Sequence, residues 1–329
     1  MAQIVGTTDT LDIVGIAEDI EDAIFNISPM DTPFLTMAKR KDASNTNHQW
    51  QTDSLASTAA NKQIEGDDAS FTTATPTTML SNRLQIARKT LIVSDTADVV
   101  RKYGRARETA RLVVKYGKEL KRDMEYALVR NQASSVGGSQ TARSSAGLES
   151  MIAGAAATLP GNGISYGGGA GTTPGYQTSD WTVPTDGTAI TVLTEAMLKT
   201  GIEDAWEDGG NPSVIMLPFA QKARVAGFTG ATKYAGSYMN QGKAEAALIG
   251  AVDVYISDAG EHKLVLNRHV RASTVFGIDP DYVSVAFLRG IRSVDLAKTG
   301  DATKKMMLTE FCLVADNPDA HFKIADLTA

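Results

Sequence analysis

Residues 94–131 read SDTADVVRKYGRARETARLVVKYGKELKRDMEYALVRN. Apolar or small side chains recur at Val99, Tyr103, Ala106, Ala110, Val113, Gly117, Leu120, Met124 and Ala127, and Asn131 closes the series. Steps of four and three alternate, which places them all on one stripe of a 3.6-residue helix. The spacing predicts a single helix over 94–131, about ten turns long. Ser94 or Asp95 can cap its start, because a side-chain oxygen there accepts from the first free backbone N–H groups. Around the stripe the surface is basic, with Arg101, Lys102, Arg105, Arg107, Arg111, Lys115, Lys118, Lys121, Arg122 and Arg130 set against few acids. A helix with one narrow apolar stripe lies across a neighbouring layer and keeps its other sides in water.

On the N-terminal side the charge reverses. Residues 1–36 carry seven acids (Asp9, Asp12, Glu18, Asp19, Glu21, Asp22, Asp31) and no lysine or arginine. Ile16, Ile20, Ile24 and Ile27 stand at helical spacing, so 18–26 reads as a short amphipathic helix, broken by Pro29 and Pro33. The segment has too little apolar surface for a core of its own and must lie on another surface. Between it and the long helix, 47–53 and 79–93 read as extended. In the second run Leu84 and Ile86 are expected on one face, with Arg83, Gln85 and Ala87 on the other. The intervening 54–78 is rich in Ser, Thr, Ala, Asn, Asp and Gly. The pattern is a long two-stranded arm with a loose tip, and such a pair is marginal alone in water.

Beyond the helix, 134–188 holds twelve of the 29 glycines and reads as long loops with short strands. The following half is denser. An amphipathic helix over 193–208, with Thr194 as its cap, stops at Gly209-Gly210-Asn211-Pro212. A strand is expected at 213–217, a helix from Pro218 to Gly227 or Gly230, and short strands at 251–256, 263–266, 274–276 and 282–287. The tail, 304–315, turns at Asp316-Asn317-Pro318-Asp319 and returns over 320–327, a hairpin pattern. Helices and strands intermix, so the fold class is α+β.

The 329 residues, 43% of them hydrophobic, can bury one large core or two interleaved ones. A net charge of −6 argues against a protein whose main work is gripping nucleic acid. Cys312 is the sole cysteine, which excludes an intrachain disulfide framework and a thiolate metal cluster. The start lacks a basic region followed by an apolar one, so no secretory signal is expected. No apolar run approaches the roughly 18 residues of a membrane span. A soluble, cytoplasm-made protein is the expectation.

Catalytic patterns are thin. Gly163-Ile164-Ser165-Tyr166-Gly167 matches the Gly-x-Ser-x-Gly elbow of serine hydrolases, but so glycine-rich a region produces that match by composition. Gly236 to Gly242-Lys243 is one residue too long for a phosphate loop, and Ala244 stands where Ser or Thr would hold magnesium. His48, His262, His269 and His321 lack metal-ligand spacing, and Asp279-Pro280-Asp281 and Glu65-Gly66-Asp67-Asp68 read as turns. No cofactor and no metal are expected. The basic helix face reads first as a solvated face matched by acidic segments, because no aromatic platform is interleaved with it.

The order of parts, and wording along nearly the whole chain, carry a resemblance. Residues 19–34 (DIEDAIFNISPMDTPF), 49–55 (QWQTDSL), 65–68 (EGDD), 296–301 (LAKTGD) and 310–317 (EFCLVADN) are its marks. The chain resembles the major capsid proteins of tailed bacteriophages, with the Hong Kong 97-type fold. That resemblance implies an N-terminal arm (1–36), an extended loop (37–90), a peripheral domain (91–189 and 286–329) built on the spine helix 94–131, and an axial domain (190–285). It implies hexamers and pentamers of this chain in an icosahedral phage head assembled in the host cytoplasm. Portal, scaffolding or decoration proteins are implied as partners, with packaged double-stranded DNA on the inner face and no membrane. Assembly contacts are then expected at Asp19, Glu21, Asp22 and Phe25 on the arm, Trp50, Asp53 and Glu65 on the loop, and Arg101, Arg105 and Arg111 on the helix.

Some relatives carry a scaffolding extension before the arm. This sequence starts at the arm, which implies a separate scaffold or a mature-length product. The covalent lysine–asparagine crosslinks of the type member find no matching pair here. The alternatives are an encapsulin-like compartment around a protein cargo, a serine hydrolase using Ser165, and a nucleic-acid-binding module using the basic helix.

Overall fold

The computed structural model describes residues 31–53, 55–56, 58–68, 71, 73–103, 106–152, 162–165, 175–177, 180–183, 190–228 and 253–328. The expectations placed on Asp19, Glu21, Asp22, Phe25, Arg105 and the stretch 236–244 lie outside the described residues.

Pro33 opens α1 (Pro33–Met37), where its fixed φ suits a first helical turn and its missing N–H is not needed. The chain continues through β1 (Lys39–Asp42), β2 (Asn47–Thr52), β3 (Thr78–Arg83) and β4 (Gln85–Ser94). β2 and β3 pair antiparallel from Asn47↔Arg83 to Thr52↔Thr78, so the expected two-stranded arm is present. The face assignment differs. Leu84 lies between the strands, its N–H donating to Thr46 O at 3.0 Å, and is buried, while Ile86 is exposed and Gln85 and Ala87 turn inward. The chain leaves β2 at Leu84 to pair with another strand, and that transfer resets the two-residue alternation.

The helix expected over 94–131 is two helices. A short α2 (Asp95–Val99) is capped by Ser94, whose Oγ accepts from the Ala97 N–H, and the long α3 (Glu108–Val129) begins only after a break. Asp98 holds the joint: its Oδ1 accepts from the Thr109 N–H at 3.0 Å, satisfying a free donor of the first turn of α3. That bond, with the weaker one from Glu108, holds the Asp98 carboxyl below its usual range. Val99, Tyr103, Ala106 and Ala110 are therefore exposed, and the stripe meets the sheet only from Val113 onward. Leu120, Met124 and Ala127 are buried, and a Cβ at Gly117 would stand 3.3 Å from the Met307 Cε.

After α3 come α4 (Leu148–Met151), β5 (Asn162–Ser165), β6 (Gly175–Gln177), β7 (Asp180–Thr182) and α5 (Glu195–Glu207). Then follow β8 (Val214–Leu217), α6 (Phe219–Ala226), β9 (Val254–Ser257), β10 (Gly260–Leu266) and β11 (Val275–Ile278). The chain ends with β12 (Val283–Asp295), β13 (Ala302–Ala315), a 3-10 turn (Pro318–Ala320) and β14 (Phe322–Ala325). Thr194 caps α5 as expected, its Oγ1 accepting from the Met197 N–H, and Gly227 closes α6.

Two larger sheets result. The long one has the order β1-β12-β13-β4, with α3 lying along β4 and β13. The other has the order β5-β14-β11-β8-β10-β9 and packs under α5. Its core joins Leu198, Ile202, Ala205, Ile215, Leu217, Val225, Phe322 and Ile324. The expected tail hairpin does not form. β13 pairs with β12 and β4, and the 3-10 turn, held by the Asp319 N–H donating to Asn317 Oδ1, sends β14 into the second sheet beside β11 and β5. Gly277 and Gly201 admit this strand, since a Cβ at either would collide with the Phe322 ring. Among the described residues no helix is long and apolar enough to cross a membrane.

Candidate functional site

The root of the N-terminal segment is fixed by one buried acid. Glu125 lies on α3 beside Met124 in the core stripe. Its Oε1 accepts from the Phe34 N–H (2.9 Å) and from Asn267 Nδ2 (2.6 Å), and its Oε2 from the Leu35 N–H (2.7 Å). The carboxylate thus caps α1, grips α3 and ties the loop after β10 to both. Burial raises its pKa above the usual glutamate range, against the pull of the three donors. Sequence reading missed it. The available signal was a lone acid flanked by Met124, Ala127 and Leu128 on the apolar side of the helix.

The base of the β2–β3 arm is held as firmly. Asn82 is buried, donates to Leu313 O (2.7 Å) and Ser145 Oγ (3.1 Å), and accepts from the Arg83 and Ala146 N–H groups. Trp181 donates from Nε1 to Ser81 O at 2.8 Å, and Tyr176 shares a hydrogen bond with the Ser81 hydroxyl at 3.1 Å. Trp50 is half-buried on β2, between the spine core and the small cluster of Leu84, Ala286, Cys312 and Val314. Its role here is intramolecular packing at the root of the arm.

Past Thr52 and Thr78 the arm changes character. Leu55 is 99%, Ile64 80% and Phe71 96% exposed, and Asp53 and Glu65 are exposed beside them. Glu65 precedes Gly66, whose φ of +83° is the left-handed conformation that the turn needs. Three large apolar side chains thus stand in water on one loop.

Of the helix candidates, Arg101 lies in the joint between α2 and α3 rather than on a helix, and is exposed. Arg111 sits on α3 and is committed to Glu108 one turn back. Lys89 on β4 reaches Asp123 at 2.7 Å, and Lys115 lies 3.8 Å from Glu119.

Nucleophile chemistry has little to stand on. Ser165 is the last residue of β5, one of the short strands expected in this glycine-rich stretch. A serine–histidine contact does exist elsewhere: His262 meets Ser257 Oγ at 2.6 Å and Pro212 O at 2.6 Å. Because a carbonyl only accepts, Nδ1 carries the proton and Nε2 accepts from Ser257. Ser257 Oγ also accepts from the Ala259 N–H, so the contact ties the β9–β10 turn to the segment before β8. His262 is buried, and its Nδ1 is oriented by the Pro212 carbonyl, not by a carboxylate. Among the described residues no group of His, Cys, Asp or Glu is placed to hold a metal ion.

Comparison with known proteins gives one family. The sequence profile of the SU10 major capsid protein matches residues 3–328. The major capsid protein of Escherichia phage Phieco32 is 33% identical over 108 residues, which are 32% of this chain and 31% of that protein. Among solved structures, the Cyanophage A-1(L) capsid asymmetric unit superposes with a TM-score of 0.64 at 14% identity, over 98% of this chain and 99% of that one. The capsid of the native GTA particle does so at 0.60 and 9% identity, over 95% and 96%. The phage G gp27 major capsid proteins, solved with gp26 decoration proteins, give 0.55 at 9% identity over the full length of both chains.

Proposed function

This chain belongs to the SU10 major capsid protein family, and from that premise we propose that its copies close into an icosahedral phage head around double-stranded DNA. It is a structural component of the virion, and its work is assembly. In this reading 1–36 is the arm and 37–90 the extended loop. The peripheral domain comprises 91–189 and 286–329, with β5 and β14 lent to the neighbouring sheet, and the axial domain is 190–285. Hexamers and pentamers form in the host cytoplasm, joined by a portal and by scaffolding or decoration proteins.

The observation that carries the reading is the exposed trio Leu55, Ile64 and Phe71 on a loop whose base is locked into the subunit. A rigid root with an uncovered apolar tip is built to reach a second body. Many such modest contacts, repeated by symmetry, hold a shell. Asp19, Glu21, Asp22 and Phe25 on the arm, Trp50, Asp53 and Glu65 on the loop, and Arg101, Arg105 and Arg111 near the spine remain the proposed interface set. Trp50 contributes by fixing the loop root and Arg111 by fixing the start of α3.

Negative-stain microscopy of the purified chain tests this directly, and nuclease-resistant DNA in the particles separates a phage head from a protein-cargo compartment. Deleting 1–30 is expected to leave a soluble subunit that cannot close shells. Normal particles from that deletion would overturn the role given to the arm.

A further inference from the structure

α3 carries a second stripe, on the side away from the long sheet. Lys115, Lys118, Arg122 and Tyr126 follow one another at steps of three and four, so they stand in line over about 16 Å of helix. At the C-terminal end the line widens. The Arg130 guanidinium lies 4.7 Å over the exposed Tyr126 ring, and His269, from the loop after β10, meets the same ring edge-on at 6.5 Å. Burial, and then the positive charges of Arg122, Arg130 and the exposed Arg268, hold His269 below its usual pKa. Aromatic rings are therefore interleaved with the basic residues after all.

This cluster is short of anions. Asp123 is taken by Lys89, and Glu119 is shared between Lys89 and Lys115. Lys118, Arg122, Arg130 and Arg268 make no ion pair among the described residues, and Arg130 Nε is buried without a hydrogen-bond partner. In a chain of net charge −6, such a local excess of cations repels itself until an anion neutralises it.

We propose that this stripe is a contact surface for the phosphate backbone of the double-stranded DNA inside the shell. The inference rests on the capsid reading above. The chemistry favours phosphodiester over a peptide carboxylate. The stripe offers donors whose neighbouring acceptors are already committed, and a phosphodiester backbone presents acceptors, whereas a peptide also brings N–H groups in need of them. Guanidinium forks match phosphate oxygens, and a straight row on a rigid helix meets successive phosphates without reading bases. Each contact is weak and sequence-independent, and the shell supplies it in every copy.

The test has two arms. In the first, the full-length subunit is titrated with a fluorescent duplex of about 30 base pairs across a range of salt. Affinity should fall steeply with salt, with a log–log slope of about −3 for three to four phosphates. The combined Lys118→Glu, Arg122→Glu and Arg268→Glu variant should bind at least about tenfold more weakly with unchanged circular dichroism, and the corresponding glutamine set should fall between. Equal binding by the variant overturns the proposal. In the second arm, lysine acetylation is mapped in DNA-filled and emptied heads. Lys118 should be protected only in the filled ones. Equal protection in both would assign the stripe to a copy-to-copy contact, such as the acidic 1–30 segment of a neighbour, and would overturn the proposal. Failure of the wild-type chain to form any particle would sink the capsid reading while leaving the titration result to be read by itself.

Discussion

β13 and the tip of the extended loop are opposites. From Met307 to Ala315 nine consecutive residues of β13 are buried, whereas every described residue from 53 to 77 is exposed. One face of β13 joins the spine core through Phe311, Leu313 and Ala315, and the other meets Leu84 and Ala286 through Cys312 and Val314. The loop has apolar residues of comparable size, Leu55, Ile64 and Phe71, and buries none of them. The difference teaches where each stretch finds its contacts. The strand is complete within one subunit, and in the proposed shell the loop is completed from outside. Substitutions in the first region should therefore act on the stability of the subunit, and substitutions in the second on assembly.

The hardest blow to the self-sufficient region is expected at Glu125. Glu125→Ala leaves three donors without their acceptor in a buried site and should cost on the order of 3 kcal/mol in denaturant unfolding of the subunit. Glu125→Gln, which keeps the shape, should cost less. Equal, small losses for both would mean that the arm root is held by packing alone.

Next is acid. His321 is fully buried, its Nδ1 accepting from the Asp279 N–H at 3.1 Å, and burial lowers its pKa to about 4. The folded state thus prefers the neutral ring. The stability this contributes is complete above the unfolded value of about 6.5 and is lost as pH falls from there toward about 4, by roughly 2–3 kcal/mol. Asp319 works in the other direction: burial and Asp208 raise it to about 6, so its contribution is present below the ordinary aspartate range and lost as pH rises through about 6. Between pH 7 and 4 the two oppose each other in the wild type, so the His321 part is read as a difference in thermal unfolding: relative to the wild type, His321→Gln should gain stability as pH falls toward 4.

Gly277→Ala comes third. The new methyl meets the Phe322 ring, and overpacking of this kind costs about 1–3 kcal/mol. Phe322→Leu in the same chain should recover part of that loss, so that a double-mutant cycle shows coupling. The smallest effect on the subunit belongs to the loop. Leu55→Ser, Ile64→Ser and Phe71→Ser together should move subunit stability by less than about 0.5 kcal/mol while cutting shell yield by electron microscopy. A large drop in subunit stability from this triple change would erase the contrast between the two regions.

Local rules were enough for part of this chain. Thr194, Gly209 and Pro218 punctuate α5, β8 and α6, and the polar run around Trp50 announces β2. The failures have a common cause: a partner outside the local window that overrides the local pattern. The 3.6-residue pattern continues without interruption through 100–107, but Asp98 captures the Thr109 N–H and starts a new helix there. The tail has the pattern of a hairpin, yet β12 and β4 already occupy both edges of β13, so β14 finds its partners in another sheet. Ile86 changes face because the chain changes partner at Leu84. Of the expected interface residues, Trp50 and Arg111 are engaged within the subunit. Glu125 and His269 carried no periodic signal, because their importance comes from what α1 and the 267–269 segment bring together on α3.

The Glu125 carboxylate has a mechanical consequence. It is a three-way knot between α1, the spine helix and Asn267, which follows β10 of the six-stranded sheet. A pull on the leading thirty residues cannot be absorbed at the first helix alone. Any load reaching Phe34 and Leu35 has a path through two carboxylate oxygens into α3 and across to the second sheet, so in the proposed shell tension at the arm would be shared by both sheets.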